Sequence, residues 1–169
     1  MGIKKFLFFT LILSFISYGL YVKIFFREKQ TFFNVDKNIN PKDIVDFAEN
    51  GDPEAQYVVG LIYNEEESFS QASEWYRKAA MQGHAKAQFN LANKYYEGKG
   101  VEQNFEEAFK WYQKAAEQGH SGAQYNLGCM YGRGEGVKKD YAQANQWLYK
   151  AALQGNIDAQ KLLKKFGEK

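Results

Sequence analysis

Four groups of residues in this 169-residue chain have types and spacings that could do chemistry. The run Gly132-Arg133-Gly134-Glu135-Gly136-Val137 has the glycine density of a loop that wraps backbone amides around a phosphate. His84 and His120 could titrate near neutral pH or ligate a metal, and Cys129 could act as a nucleophile once ionised. The fourth group, Tyr57, Leu61, Phe89, Asn93, Tyr96, Tyr125 and Cys129, together with Asn64, has the aromatic and amide character of surfaces that hold other proteins.

The elements that must position these residues narrow the choice. A glycine run that binds phosphate follows a strand, whereas the run at Gly132 joins two stretches of helical period, so it reads as a tight turn between helices. His84 and His120 each stand directly after a glycine that ends a helix, where a side-chain acceptor for the next helix is wanted, so both read as N-caps. One repeat apart on one edge, they would be too far from each other to share an ion. Cys129 aligns with Asn93 and Leu61 on one helix face, with no histidine or lysine in register to ionise it.

That register comes from an internal repeat. Trp75, Trp111 and Trp147 fall 36 residues apart, as do Ala79-Ala80, Ala115-Ala116 and Ala151-Ala152 and the glycines Gly83, Gly119 and Gly155. The Ala-Gln pairs at Ala55, Ala87, Ala123 and Ala159 are spaced 32, 36 and 36, so the first copy is four residues short. The loss falls where later copies carry a glycine-rich turn, which predicts that the turn is surface and its flanks are packed helices.

Each copy predicts two helices. In the first, Ala87, Leu91, Ala92 and Tyr95 share one face, as do Ala123, Leu127, Gly128 and Tyr131, and that face is the predicted core. Asp52, His84, His120 and Asn156 are its predicted caps. In the second, Ser68, Asn104 and Asp140 each stand three residues before Gln71, Glu107 or Gln143, the spacing of a reciprocal capping box. Gly119 and its equivalents close the second helix. The alanine pairs are expected to face Gly60, Ala92 and Gly128 across a close helix contact. Gln56, Gln88, Gln124 and Gln160 are expected to satisfy loop carbonyls.

Before the repeats, Phe6 to Val22 carries no charge and, with Ile24 to Phe26, is long enough to cross a hydrocarbon core. It reads as an uncleaved anchor or, with Ser17-Tyr18-Gly19 as a poor cleavage site, as a signal peptide; either predicts a membrane-anchored or exported body. The expected division is a signal segment over 1–27, a linker over 28–40 and a repeat domain over 41–169. Within the domain, a half repeat (41–51) precedes copies at 52–83, 84–119 and 120–155 and a lysine-rich cap at 156–169. Basic residues (22) and acidic residues (20) are interspersed, which argues against a nucleic-acid binder. A single cysteine excludes an internal disulfide.

The third copy reads Ala123-Gln124, Leu127-Gly128, Tyr131, Gly134-x-Gly136-Val137, Asp140, Ala144, Trp147, Lys150-Ala151-Ala152 and Gln154-Gly155. This pattern resembles the Sel-like repeat family, relatives of the tetratricopeptide repeats; the second copy departs from it at Ala92 and Asn104, the first by lacking the Gly-x-Gly-Val turn. The resemblance implies an all-α, right-handed α/α solenoid of about three helix-turn-helix repeats with capping helices. It implies a scaffold for protein-protein contacts, commonly in exported bacterial proteins; with no convergent acid, base, nucleophile or ligand cluster among the residues, the expected function is a non-enzymatic adaptor of the bacterial cell envelope that holds a protein partner or peptide segment on its inner face and needs no cofactor or metal. A cysteine-rich branch of the family implies the alternative of β-lactam binding or hydrolysis. On the residues themselves, the Tyr57, Phe89, Tyr125 column could equally pack repeat on repeat or contact a partner.

Overall fold

The computed structural model describes residues 41–167. The expected signal segment and linker lie outside the described residues. Among the described residues there are eight α-helices and no strand: α1 (Pro41–Glu49), α2 (Pro53–Glu65), α3 (Phe69–Met81), α4 (Ala85–Glu97), α5 (Phe105–Glu117), α6 (Ser121–Arg133), α7 (Tyr141–Leu153) and α8 (Ile157–Gly167). The substantial packing is between consecutive helices, so the chain stacks as a one-dimensional array.

One residue serves as the joint between successive repeats. The His120 amide donates to Ala115 O at the end of α5 (3.1 Å), while its Nδ1 accepts from Ala123 N at the start of α6 (3.2 Å). Asp52, His84 and Asn156 do the same, accepting from Ala55, Ala87 and Ala159 at 2.7, 3.1 and 3.0 Å. Gly83, Gly119 and Gly155 precede three of these joints with φ of 91°, 89° and 84°.

The second helices depart from the expected reciprocal boxes. Asn104 and Asp140 accept from Glu107 N and Gln143 N at 2.9 and 3.0 Å, but Ser68 makes no side-chain cap bond. The return half is replaced in all three. The cap amides of Ser68, Asn104 and Asp140 donate instead to Tyr63 O, Tyr95 O and Tyr131 O on the preceding helix, at 2.9, 3.0 and 2.9 Å. A backbone acceptor already lies in reach, so the acidic or amide side chain three residues on is released, and Glu107 pairs with Lys110 at 2.7 Å.

The close helix contact also differs from expectation. Gly60 and Gly128 face Tyr76 and Leu148, not the alanine pairs: a Cβ on Gly60 would sit 2.6 Å from the Tyr76 ring, and one on Gly128 2.8 Å from Leu148 Cγ. A large side chain on the second helix thus fills the space that a small residue on the first leaves. The alanine pairs are buried, Ala79, Ala115 and Ala151 completely, except that Ala152 is half-buried.

The glutamines form the second thread between repeats. Gln56, Gln88, Gln124 and Gln160 donate to Ala48 O, Ala80 O, Ala116 O and Ala152 O at 3.1, 3.0, 3.1 and 3.0 Å, carbonyls at the end of the preceding helix. The first three then accept from Gln82, Gln118 and Gln154 of their own repeat at 2.8, 2.7 and 2.7 Å.

The turns differ as the four-residue deletion implies. In the later copies Gly98 and Gly134 end the first helix in the left-handed region, and Gly100 and Gly136 then press against the N-termini of α3 and α5 in the preceding repeat. The short first turn has no glycine and places Glu67 at φ 57°. A left-handed glutamate carries about 1 to 2 kcal/mol of strain and the entropy of glycine offsets roughly 0.4 to 1 kcal/mol of it, so Glu67→Gly should stabilise the fold by several tenths to about 1 kcal/mol. A rise in the urea midpoint at unchanged slope would show it, and an unchanged or lower midpoint would refute it.

Candidate partner-binding groove

Three first helices, α2, α4 and α6, carry the predicted contact residues, and packing sorts those residues into two sets. Tyr57 stacks on His84 (centroids 4.7 Å apart, 27° between planes) and Phe89 on His120 (4.4 Å, 21°). Both rings therefore bond one repeat to the cap of the next. Leu61 packs against the main core cluster. These three serve stacking of the repeats.

Asn93, Tyr96, Tyr125 and Cys129 line one groove of about 240 Å³ between α4 and α6, Tyr96 packing in part on the main core cluster and Tyr125 and Cys129 on the C-terminal one. Glu97, Tyr112, Asn126, Met130, Arg133 and Glu135 complete it. Asn156, with no ring, stands at the cap after Tyr125 where His84 and His120 stand after Tyr57 and Phe89, so the third aromatic of the column has no imidazole to stack on.

The groove is held from its floor. Tyr112 on α5 donates its hydroxyl to Asn93 Oδ1 at 2.5 Å and is almost fully buried, which pushes its phenol well above the ordinary range. At one wall, Tyr96 donates to Glu135 Oε2 (3.0 Å) and accepts from Arg133 Nη1 (3.1 Å), and Arg133 and Glu135 lie 3.6 Å apart. Burial and the bond to Glu135 raise the Tyr96 phenol, so it stays a protonated donor. The Arg133 guanidinium remains largely exposed at the rim.

Burial also raises the Cys129 thiol, and Tyr125, one helical turn away, offsets this only in part. A thiol held protonated is a small half-apolar wall rather than a nucleophile. The histidines are fixed as caps: His84 Nδ1 faces Ala87 N, and its Nε2 lies 2.9 Å from Glu54 Oε2. Among the described residues no three His, Cys, Asp or Glu side chains gather as a metal would require. The Gly132 to Val137 run is a helix end and turn, as expected, with Gly134 at φ 76° and Gly136 at φ 66°.

Sequence reasoning missed Arg133, Glu135 and Asn126. The signal was available in the turns, since the second copy has Glu97 and Lys99 where the third has Arg133 and Glu135. Lys94 was missed too. It takes the core position of Ile62 and Met130, buried with its ammonium on Asn64 Oδ1 and 4.3 Å from the Phe69 ring centroid.

His120 gives the groove's support a pH dependence. Burial pushes its imidazole below the ordinary range; a backbone hydrogen bond pulls the other way, and the Lys86 charge adds to the depression. Protonation would also remove the Nδ1 lone pair that caps α6. With the folded value lowered, this contribution is present above the unfolded pKa of about 6.5 and is lost as pH falls from there through the folded value. His120→Asn keeps the acceptor, as Asn156 does at the next joint, and should flatten the fall in stability between about pH 7 and pH 5. Parallel stability curves for parent and variant across that range would contradict this.

The Sel1 repeat profile matches residues 53–84, 85–120 and 121–156, the three helix pairs described above. Among solved structures, the chain is 38% identical to a Sel1 repeat protein from Oxalobacter formigenes, over 73% of this chain and 96% of that one, with a TM-score of 0.68. It is 34% identical to c5321, a protective antigen of uropathogenic Escherichia coli with an SLR fold, over 91% of this chain and 35% of that one, with a TM-score of 0.73. Cysteine rich protein B of Helicobacter pylori shares the fold at 23% identity and a TM-score of 0.58. No curated protein matches the chain. With the repeat profile covering its three helix pairs, the chain belongs to the Sel1 repeat family.

Proposed function

We propose that the chain is a non-enzymatic adaptor, exported or anchored through Phe6 to Phe26, that holds a protein segment in the groove between α4 and α6. Sel1 repeats generally serve as protein-interaction scaffolds. The observation that carries the reading is the groove itself, where Asn93, Tyr96, Tyr125 and Cys129 come together and leave open space between α4 and α6. Its chemistry suits an extended segment. The amides of Asn93 and Asn126 match peptide groups, Tyr125 offers a ring, and Arg133 offers a charge at the rim.

Capture of a partner from the cell envelope should fall about tenfold or more with Tyr125→Ala, the loss of roughly 1.4 kcal/mol expected of an aromatic contact. Tyr57→Ala, whose ring is committed to His84, should leave capture unchanged while lowering stability. Capture that ignores both Tyr125 and Arg133 would refute the groove as the site. The alternative of β-lactam binding or hydrolysis draws on likeness to cysteine-rich relatives alone, and nitrocefin turnover by purified protein would be needed to revive it.

A further inference from the structure

The solvent face of α7 differs from the same face of its two sister helices. At the equivalent positions α3 carries Ser70, Glu74, Arg77 and Met81, and α5 carries Glu106, Lys110, Gln113 and Glu117. On α7 these positions are Ala142, Gln146, Tyr149 and Leu153, without a charge. Ile157 then replaces Ser121 and Ala85 at the start of the following helix. Tyr149, Leu153 and Ile157 are all more than half exposed. The solenoid does not ask for this, because the same helix folds in repeats 1 and 2 with a charged face.

Charge changes at the same place. Residues 41–137 hold 15 acidic and 9 basic side chains, whereas residues 138–167 hold six lysines, two aspartates and no arginine. Both aspartates are engaged, Asp140 as the cap of α7 and Asp158 3.9 Å from Lys161. Lys161 lies one helical turn beyond Ile157, with Lys164 and Lys165 exposed a further turn along.

We infer that the outer face of α7 and the exposed side of α8 form a surface that rests on an anionic lipid bilayer. Tyrosine and aliphatic side chains enter the interfacial layer while lysines meet the headgroups. A protein partner fits this chemistry less well. Protein interfaces are depleted in lysine and enriched in arginine, and this end of the array has the opposite bias.

The test uses the full-length chain in a Cys129→Ser background, with an environment-sensitive fluorophore on Leu153→Cys or on Met81→Cys. Met81 occupies the equivalent site of repeat 1 and is as exposed, 74% against 70% for Leu153. In vesicles of phosphatidylcholine with phosphatidylglycerol, the probe at 153 should shift to the blue and be quenched by a lipid-borne quencher. The probe at 81 should stay in water. The contact should vanish in pure phosphatidylcholine, and each of Lys161→Gln, Lys164→Gln and Lys165→Gln should weaken it about fivefold. Circular dichroism confirms that each variant folds. Equal, water-like signals at 153 and 81 on anionic vesicles would overturn the proposal. So would shielding at 153 that ignores lipid charge and rises with protein concentration, which would assign the face to a second copy of the chain.

Discussion

Gln124→Glu should cost about 3 kcal/mol or more at neutral pH, although the two side chains have the same shape. Gln124 is 5% exposed; its Nε2 donates to Ala116 O and its Oε1 accepts from Gln154. A carboxylate there keeps the second bond but turns a charged acceptor toward a carbonyl, in a site with little water to solvate it. The folded pKa of the new carboxyl would therefore rise above its unfolded value of about 4.3. With that sign, the penalty is absent below the unfolded value, where the neutral acid can donate to Ala116 O, and grows as pH rises through the folded value. Stability of the variant minus that of the parent should therefore recover on acidification. Gln160→Glu makes the natural control, since Gln160 forms the same bond at 3.0 Å from an exposed position and should lose well under 1 kcal/mol. Equal costs at both sites, or a penalty independent of pH, would refute the role given to the buried amide.

Gly136→Ala should be nearly as damaging, on the order of 3 to 4 kcal/mol. Two effects add there. Gly136 sits at φ 66°, where a Cβ is strained, and that Cβ would lie 2.2 Å from Phe105 O and 2.4 Å from Phe105 C. The obstacle is backbone, so relief requires the turn to lift from α5, which opens the contact between repeats 2 and 3. Gly100 meets Phe69 at 2.2 Å in the same way and should behave alike. Gly155→Ala separates the two effects, because Gly155 has φ 84° but nothing within 4 Å of the added methyl. It should show the strain alone, about 1 to 2 kcal/mol. Matching losses at 136 and 155 in urea titrations would mean that the docked turn contributes nothing.

Much of this architecture could be read from spacing, and the reason is physical. A stacked array demands the same small residue, cap and closing glycine at each step, so Gly83, Gly119 and Gly155 or His84 and His120 announce their roles by recurrence. Recurrence also hides partners. It showed that Gly60 and Gly128 must be small, but the large residue opposite them changes from Tyr76 to Leu148, and the alanine pair was the more conspicuous choice. The reciprocal capping box failed for a related reason: the sequence displays side-chain acceptors and cannot display the Tyr95 and Tyr131 carbonyls that reach the cap amides first. The groove was half legible. Tyr96, Tyr125, Asn93 and Cys129 lie on helix faces whose period locates them, whereas Arg133 and Glu135 come from a helix end and turn and join the site only through the fold. Tyr57 and Phe89 share the register of Tyr125 yet serve packing, because each has a histidine to stack on.

If the groove between α4 and α6 holds a protein segment, site-specific photocrosslinking in living cells will trap it there. Benzoylphenylalanine at Tyr125 should give a discrete adduct with one protein, and the adduct should fade when Arg133→Ala is added. The same residue at Lys110, exposed on the outer side of α5, should give none. A folded chain that yields no adduct at 125, or the same adducts from 125 and 110, would rule the groove out as the binding site.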